Sequence, residues 1–381
     1  AFTLSVAGVG AQTDFTVNEV KYAVNQDGES VTLKSVMPGL NRVMVKSPSS
    51  ITPVYYKGMP FELDEENQTA KLLSLYDYFT ETDAINAANE EGSYTICYGE
   101  EGEQECYYAG EVVVPSKFTH ESKEYTVTCV AMGAFWSQAF LTSIELPATI
   151  TKFEVGTSTT KPIVCNVPIE ENNSRYQDFT ENGSFSYLFA DCVSLQKAVI
   201  NAQVTTLGGY CFSGCNLLKD VTLPSTLTKI EEGDFSLCYS LPEFKIPENV
   251  TSIGIGAFYQ SSLSADLTDV TPYIYYAASA FEDEDDPVSS FEGIVKELIG
   301  VEISFADILN NRLSTVILPD KLENIYTGAF YRCAQMTEIT VPENVIFIGK
   351  QAFCKSNIAR AQLCGNNTTL EERKYFSFFF Y

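Results

Sequence analysis

Histidine is almost missing from this chain: His120 is the one example in 381 residues. That excludes histidine-rich metal sites and takes away the usual general base of Ser-His-Asp and Cys-His mechanisms. Tryptophan is confined to Trp136, where core packing is the expected role. No apolar run reaches the ~18 residues that a membrane-spanning helix needs. Positive charge is scarce: 24 Lys and Arg stand against 50 Asp and Glu, a formal charge of −26. A surface this acidic repels phosphate backbones and anionic lipid, which argues against nucleic acid or a membrane surface as partner. No Gly-rich phosphate loop occurs outside the repeat turns (Leu207-Gly208-Gly209 lies in one), and no cofactor or metal is expected. Charged residues make up only 19% of the chain and apolar residues 45%, with 25 Phe and 22 Tyr. A chain of that composition folds around a large core.

What the sequence has in abundance is self-similarity. LKDVTLPSTLTKIEEGDFSLCYS (218–240) is followed by LPEFKIPENVTSIGIGAFYQSS (241–262), and later by LSTVILPDKLENIYTGAFYRCAQ (313–335) and MTEITVPENVIFIGKQAFCKSN (336–357). Phe189, Phe212, Phe235, Phe258 and Phe281 recur every 23 residues, and Phe305, Phe330 and Phe353 follow at steps of 24, 25 and 23. Pro147, Pro224, Pro247, Pro319 and Pro342 hold one position of the unit.

A unit of this length with one short alternating run is a single coil of a solenoid. In VTLP (221–224) the alternation has the period of a strand: Val221 and Leu223 face inward, Asp220 and Thr222 outward. Stacked coils put these runs in a parallel ladder at about 4.8 Å spacing. Proline ends each strand because it has no N–H to give the ladder. Gly133, Gly233, Gly256 and Gly328, each two residues before a repeat Phe, supply tight turns. The phenylalanines fill the coil interior, and each coil is stable only through its neighbours. Strand-plus-proline segments suggest ten or eleven coils, from Val112-Val113-Val114-Pro115 to 358–363. Polar residues 170–184 interrupt the period. Residues 263–304 hold degenerate units with a short helix at about 289–299, and both insertions are expected as surface loops.

LTSIELP (141–147), VTSIGIGAF (250–258) and NIYTGAFYRC (324–333) resemble the BspA-like class of leucine-rich repeat, which occurs in many exported bacterial surface proteins. The resemblance covers about residues 111–364 and departs from the pattern at Ser158, Asn201 and 263–304. It implies a right-handed leucine-rich-repeat superhelix with a parallel β ladder on its concave face. It further implies a non-enzymatic protein, secreted or at the surface of a bacterium, that recognises an extracellular or host-surface protein or peptide in adhesion. A spacer or scaffold without a ligand, and a hydrolase with a carboxylate site near the N-terminus, are the alternatives. A monomer is favoured.

Three parts follow. Residues 1–11 read as a signal-peptide remnant, with Val9-Gly10-Ala11 before Gln12 fitting the small-x-small cleavage rule; a buried first strand is the alternative. Residues 12–110 read as a small β-rich capping domain. It has a hairpin at 15–36 around NQDG, a helix at 82–91 capped by Asp83, and a second hairpin of YTICY (94–98) and ECYYAGEVVVP (105–115). Residues 111–375 hold the repeats, with insertions at 170–184 and 281–300. The tail 371–381 reads either as a final partial coil or as an end without a cap.

Of the eleven cysteines, Cys192, Cys215, Cys238 and Cys333 each fall three residues after a repeat Phe. Their shared phase makes them a buried ladder of small side chains, not a redox or metal stack. Cys211 and Cys215 have no second pair at zinc spacing. Cys97 and Cys106 flank a hairpin turn, a position in which an oxidising compartment allows a disulfide. The acidic run 282–286 lacks the alternation and glycine of an EF-hand loop and reads as solvated. The best candidates for ligand contact are the outward strand positions: Ser143, Glu145, Lys197, Asp220, Thr222, Glu243, Lys245, Thr315, Glu338 and Thr340, beside the more apolar Val199 and Ile317. They offer no basic stripe and no aromatic row, which leaves a protein or peptide as the expected partner.

Overall fold

The structure is a computed structural model. It describes residues 51–75, 78, 82–98, 105–157, 184–259, 287–309, 313–365 and 368–370, together with the backbone of three earlier strands. The signal reading at 1–11, most of the insertion 170–184, the acidic run 282–286, Phe281, Ser158 and the tail 371–381 lie outside the described residues.

The alternating runs form the expected parallel strands. Gly110–Val113, Leu141–Leu146, Lys197–Ile200 and Asp220–Thr222 pair in chain order. Glu243–Lys245 then pairs with Thr315–Ile317, and Glu338–Val341 with Arg360–Leu363. Among the described residues this face has eight strands, hydrogen-bonded in sets of four, two and two. Asn201, at a position held elsewhere by proline, keeps its N–H and donates it to Leu146 O at 3.1 Å. A second parallel ladder begins five residues after Pro224, Pro247, Pro319 and Pro342, at Lys229–Ile230, Ser252–Ile253, Asn324–Ile325 and Phe347–Ile348, and ends with Thr369–Leu370.

On the third side of each coil the chain turns, and the turn carries the phenylalanines. Tyr108 and Phe135 have ring centroids 4.9 Å apart, Phe135 and Phe189 5.1 Å, Phe189 and Phe212 5.0 Å, and Phe212 and Phe235 5.3 Å. The file continues through Phe258, Phe330 and Phe353 at 5.2–5.3 Å. Phe135 through Phe330 are fully buried and Phe353 is 6% exposed, so the spine is dry. Two residues before each Phe the backbone has positive φ: Gly133, Gly233, Gly256 and Gly328 do so without strain, and Tyr187, Tyr210 and Gln351 adopt it too. A second left-handed residue lies two after the Phe, at Ser137, Asp191, Gly214, Leu237, Arg332 and Lys355.

Two expectations are corrected here. Phe258 stacks directly on Phe330, and Phe305 does not join the spine. Phe305 instead packs 6.2 Å from Phe291 of the helix Pro287–Ile299. That helix is not an exposed loop. Phe291 and Val295 are fully buried in a second apolar cluster with Phe140, Val193, Leu217, Leu237, Tyr239, Ile255 and Tyr259. Residues 287–309 therefore lie along the flank of the array as a strap. Its helix starts on Pro287, where a missing N–H costs nothing, and stops before Gly300.

Ahead of the ladder, Asp14–Val17, Val20–Val24 and Val31–Leu33 form an antiparallel meander, which includes the expected pairing across 25–30. Val54–Tyr56, Met59–Asp64 and Thr69–Leu72 join Lys117–His120, Lys123–Val130 and Lys152–Phe153 in one sheet. Thr69–Leu72 and Lys152–Phe153 flank Lys123–Val130, both in parallel register. The helix is Thr82–Ala88, with Asp83 in its first turn. The second hairpin pairs Thr95–Tyr98 with Glu105–Tyr108, and its last residue Tyr108 begins the aromatic spine.

Candidate functional site

The face ladder gathers the outward residues into two rows, because parallel register puts equivalent positions side by side. In one row Ser143 is opposite Lys197 and Lys197 opposite Asp220; further on, Glu243 is opposite Thr315. In the other, Glu145 is opposite Val199 and Val199 opposite Thr222, with Lys245 opposite Ile317. Glu338 and Thr340 hold the same alternate outward positions on Glu338–Val341. All the proposed contact residues are exposed except Ser143, which is half-buried. The rows extend further than the sequence candidates. Glu111 and Val113 precede them opposite Ser143 and Glu145, while Arg360 and Gln362 follow opposite Glu338 and Thr340. The alternation in GEVVVP (110–115) and IARAQL (358–363) carries that signal.

Charge on this face is mixed and locally paired. Lys197 Nζ is 3.9 Å from Asp220 Oδ2, Arg360 Nη1 is 3.9 Å from Glu338 Oε2, and Lys245 Nζ is 3.0 Å from Glu248 Oε1. These side chains are more than half exposed, so each pair contributes about 0–1 kcal/mol to the fold. They are therefore available to a partner at little cost in stability. Asn201 Nδ2 donates to Glu145 Oε1 at 3.4 Å. Val113 and Ile317 are exposed apolar side chains in the same row, at 46% and 43%.

The other conspicuous groups have structural partners. Cys192, Cys215, Cys238 and Cys333 are fully buried. Their sulfurs donate to the carbonyl oxygens of Phe135, Phe189, Phe212 and Phe258, the spine residue one coil earlier, at 2.9, 3.0, 3.1 and 3.1 Å. Ser356 Oγ donates to Phe330 O at 2.8 Å and extends the same file. Burial pushes the thiols of Cys192, Cys215 and Cys238 up from their usual range. Trp136 is buried and its Nε1 donates to Asp191 Oδ2 at 3.3 Å. Buried Asp234 accepts from the backbone of Glu231 at 2.7 Å and of Cys211 at 3.2 Å. Cys97 and Cys106 lie directly opposite each other, their sulfurs 3.7 Å apart.

Carboxylates near the N-terminal sheet are also engaged: Glu62 with Lys71 at 2.6 Å, Asp64 with Asn67 at 2.8 Å, and Glu65 with Lys123. Among the described residues, no group of three or more His, Cys, Asp or Glu side chains is placed to hold a metal ion. No helix among them is long and apolar enough to cross a membrane.

The BspA type leucine rich repeat region matches residues 185–285 and 302–378, in six copies. The break between the two stretches falls on the strap helix. No curated protein matches the chain. Among solved structures, a leucine rich cell surface protein from Faecalibacterium prausnitzii is 19% identical, with a TM-score of 0.47 over 83% of this chain and 55% of that one. A leucine-rich repeat protein from Bacteroides ovatus is 20% identical, with a TM-score of 0.44 over 74% of this chain and 55% of that one. The leucine-rich repeat protein of T. pallidum is 16% identical, with a TM-score of 0.42 over 78% and 85%. The chain thus spans about half the length of the first two. Periodic sequence, stacked spine and paired ladders agree with the repeat match, and residues 185–285 and 302–378 carry leucine-rich repeats of the BspA type.

Proposed function

We propose that this is an exported bacterial surface protein that binds a protein or peptide ligand, without catalysis, through its face ladder. One observation carries the reading: two rows of exposed, chemically mixed side chains are held in parallel register over a dry aromatic core. A face already fixed in place loses little conformational entropy on binding, so modest contacts suffice. The mixture of cations, carboxylates, threonines and exposed Val113 and Ile317 suits a protein surface better than a polyanion or a sugar stack. Repeats of a type common among surface proteins support the location, and adhesion is the biological role that fits it.

The test is a binding screen of the full chain against extracellular-matrix and host-surface proteins, read by interferometry and by ligand-dependent thermal shift. A ligand whose binding is lost in Lys197→Glu/Glu243→Lys, with the melting temperature kept, supports the reading. Binding to none of the panel, or binding indifferent to these changes, points to a spacer or to another surface of the protein.

A further inference from the structure

We propose that Cys97 and Cys106 are joined by a disulfide in the working protein. The argument rests on the hairpin alone and is independent of any ligand. Ala109 N donates to Tyr94 O at 2.9 Å, which makes 94 and 109 a hydrogen-bonded pair of the antiparallel ladder. Pairs alternate, so 96/107 and 98/105 are hydrogen-bonded, while 95/108 and 97/106 are not. Tyr108 N accordingly points away from its partner strand and donates to Gln138 Oε1 at 2.7 Å. Non-hydrogen-bonded partners have Cα atoms about 4.5 Å apart, inside the span a disulfide bridges. The sulfurs are already 3.7 Å apart, and side-chain rotation closes the remaining distance to a bond of about 2.05 Å.

Environment separates this pair from the other thiols. Those of the spine coils are sealed in the core and each is committed to a phenylalanine carbonyl. Cys97 is half-buried and reachable, whereas Cys106 is 1% exposed. The chemistry follows from that asymmetry. The Cys97 thiolate attacks a low-molecular-weight disulfide, displacing one thiol and forming a mixed disulfide. Cys106 then loses its proton and attacks the Cys97 sulfur, displacing the second thiol. Two protein S–H groups are oxidised and one small disulfide is reduced to two thiols.

The bond would act where the fold needs it. The connection it closes carries Glu100, Glu101, Glu103 and Glu105 in sequence, and gathering like charges is a cost that a cross-link would offset. Beside the pair, Tyr98 and Tyr107 pack on Phe140 at 5.4 and 5.3 Å, and Phe140 packs on the strap residue Phe291 at 5.9 Å. Cross-linking the hairpin fixes the wall against which the strap lies.

The experiment equilibrates the full chain with glutathione disulfide, alkylates it in denaturant, and maps peptides by mass. No Lys or Arg lies between Leu72 and Ser116, so trypsin leaves both cysteines on one peptide; cleavage after glutamate separates them. The expected result is a joined pair of glutamate-cleaved fragments that parts on reduction, with the spine cysteines recovered as alkylated thiols. Cys97→Ser should abolish the joined pair. It should also lower the melting temperature by a few degrees in oxidising buffer but not in reductant. Recovery of Cys97 and Cys106 as alkylated thiols after equilibration, or of Cys97 joined to Cys129 or Cys364, overturns the proposal.

Discussion

The rings of Phe258 and Phe330 lie 5.2 Å apart and within 6° of parallel, although the whole strap separates them in sequence. The backbone repeats the relationship: Phe258 N donates to Ala329 O at 2.7 Å, and Ser252–Ile253 pairs with Asn324–Ile325 in parallel register. The array therefore closes over the strap as though it were absent. The strap in turn covers the side chains that the coils leave on their flank. Phe291→Ala removes its fully buried anchor between Phe140 and Phe305. Truncation of such a side chain costs about 3–5 kcal/mol when the site cannot collapse. Because the ladders do not pass through the strap, the expected outcome is local. Limited proteolysis should cut between 260 and 312 well before the repeats, with far-UV circular dichroism nearly unchanged. Simultaneous digestion of strap and coils would show that the two fold as one cooperative unit.

Within the spine, position along the file sets the cost of a deletion. Phe235 has Phe212 and Phe258 stacked on its two faces, each at 5.3 Å, and Phe244 tilted against it at 4.7 Å. Phe235→Ala should destabilise by about 3–5 kcal/mol in urea unfolding. Phe353 stacks on Phe330 at the end of the file and is 6% exposed, so Phe353→Ala should cost clearly less. A loss under about 1 kcal/mol at Phe235 would contradict the packing described.

These contrasts mark how far the sequence reaches. Identical coils must present the same side chain at the same phase, so the spine and the face rows are legible from period and alternation. Phe305 misleads for a physical reason. An excursion close to a whole number of repeats leaves the phase intact on both sides, and spacing cannot tell a stacked coil from one looped out. Burial of Cys192 or Cys215 is likewise readable from phase, but the carbonyl that each thiol meets is set by the stacking of neighbouring coils. The left-handed position two after each Phe is hidden because Ser137, Asp191, Leu237, Arg332 and Lys355 share no chemistry. Glu111 and Arg360 were within reach, since they lie on the same alternating runs.

On the face ladder, stability and binding should come apart. Asp220 is exposed and 3.9 Å from Lys197, so Asp220→Ala should change unfolding free energy by no more than about 0.5 kcal/mol. The same change in Val221, whose side chain packs on the core, should cost more. A large loss at Asp220 would mean that the face charges hold the fold together and are not free for a partner.

Alkaline pH offers a test of the thiol file. Burial holds the thiols of Cys192, Cys215 and Cys238 protonated well above their usual range, and it raises the Tyr108 hydroxyl in the same sense. In the unfolded chain a thiol releases its proton near pH 8.5 or so, roughly the free value. The folded pKa is the higher one, so the stability these groups contribute is fully present below the unfolded value. It is lost as pH climbs from there toward the folded value. Across that window the unfolded chain binds fewer protons, and unfolding free energy falls by up to about 1.4 kcal/mol per pH unit for each thiol. The urea midpoint should hold between about pH 6 and 8 and fall steeply above about pH 9. Replacing Cys215 with Ala should make that fall shallower, because one titrating group is gone, while lowering stability at neutral pH through the lost contact with Phe189 O. A midpoint that stays level to about pH 10.5, or a slope that Cys215→Ala leaves untouched, would place these thiols in contact with water.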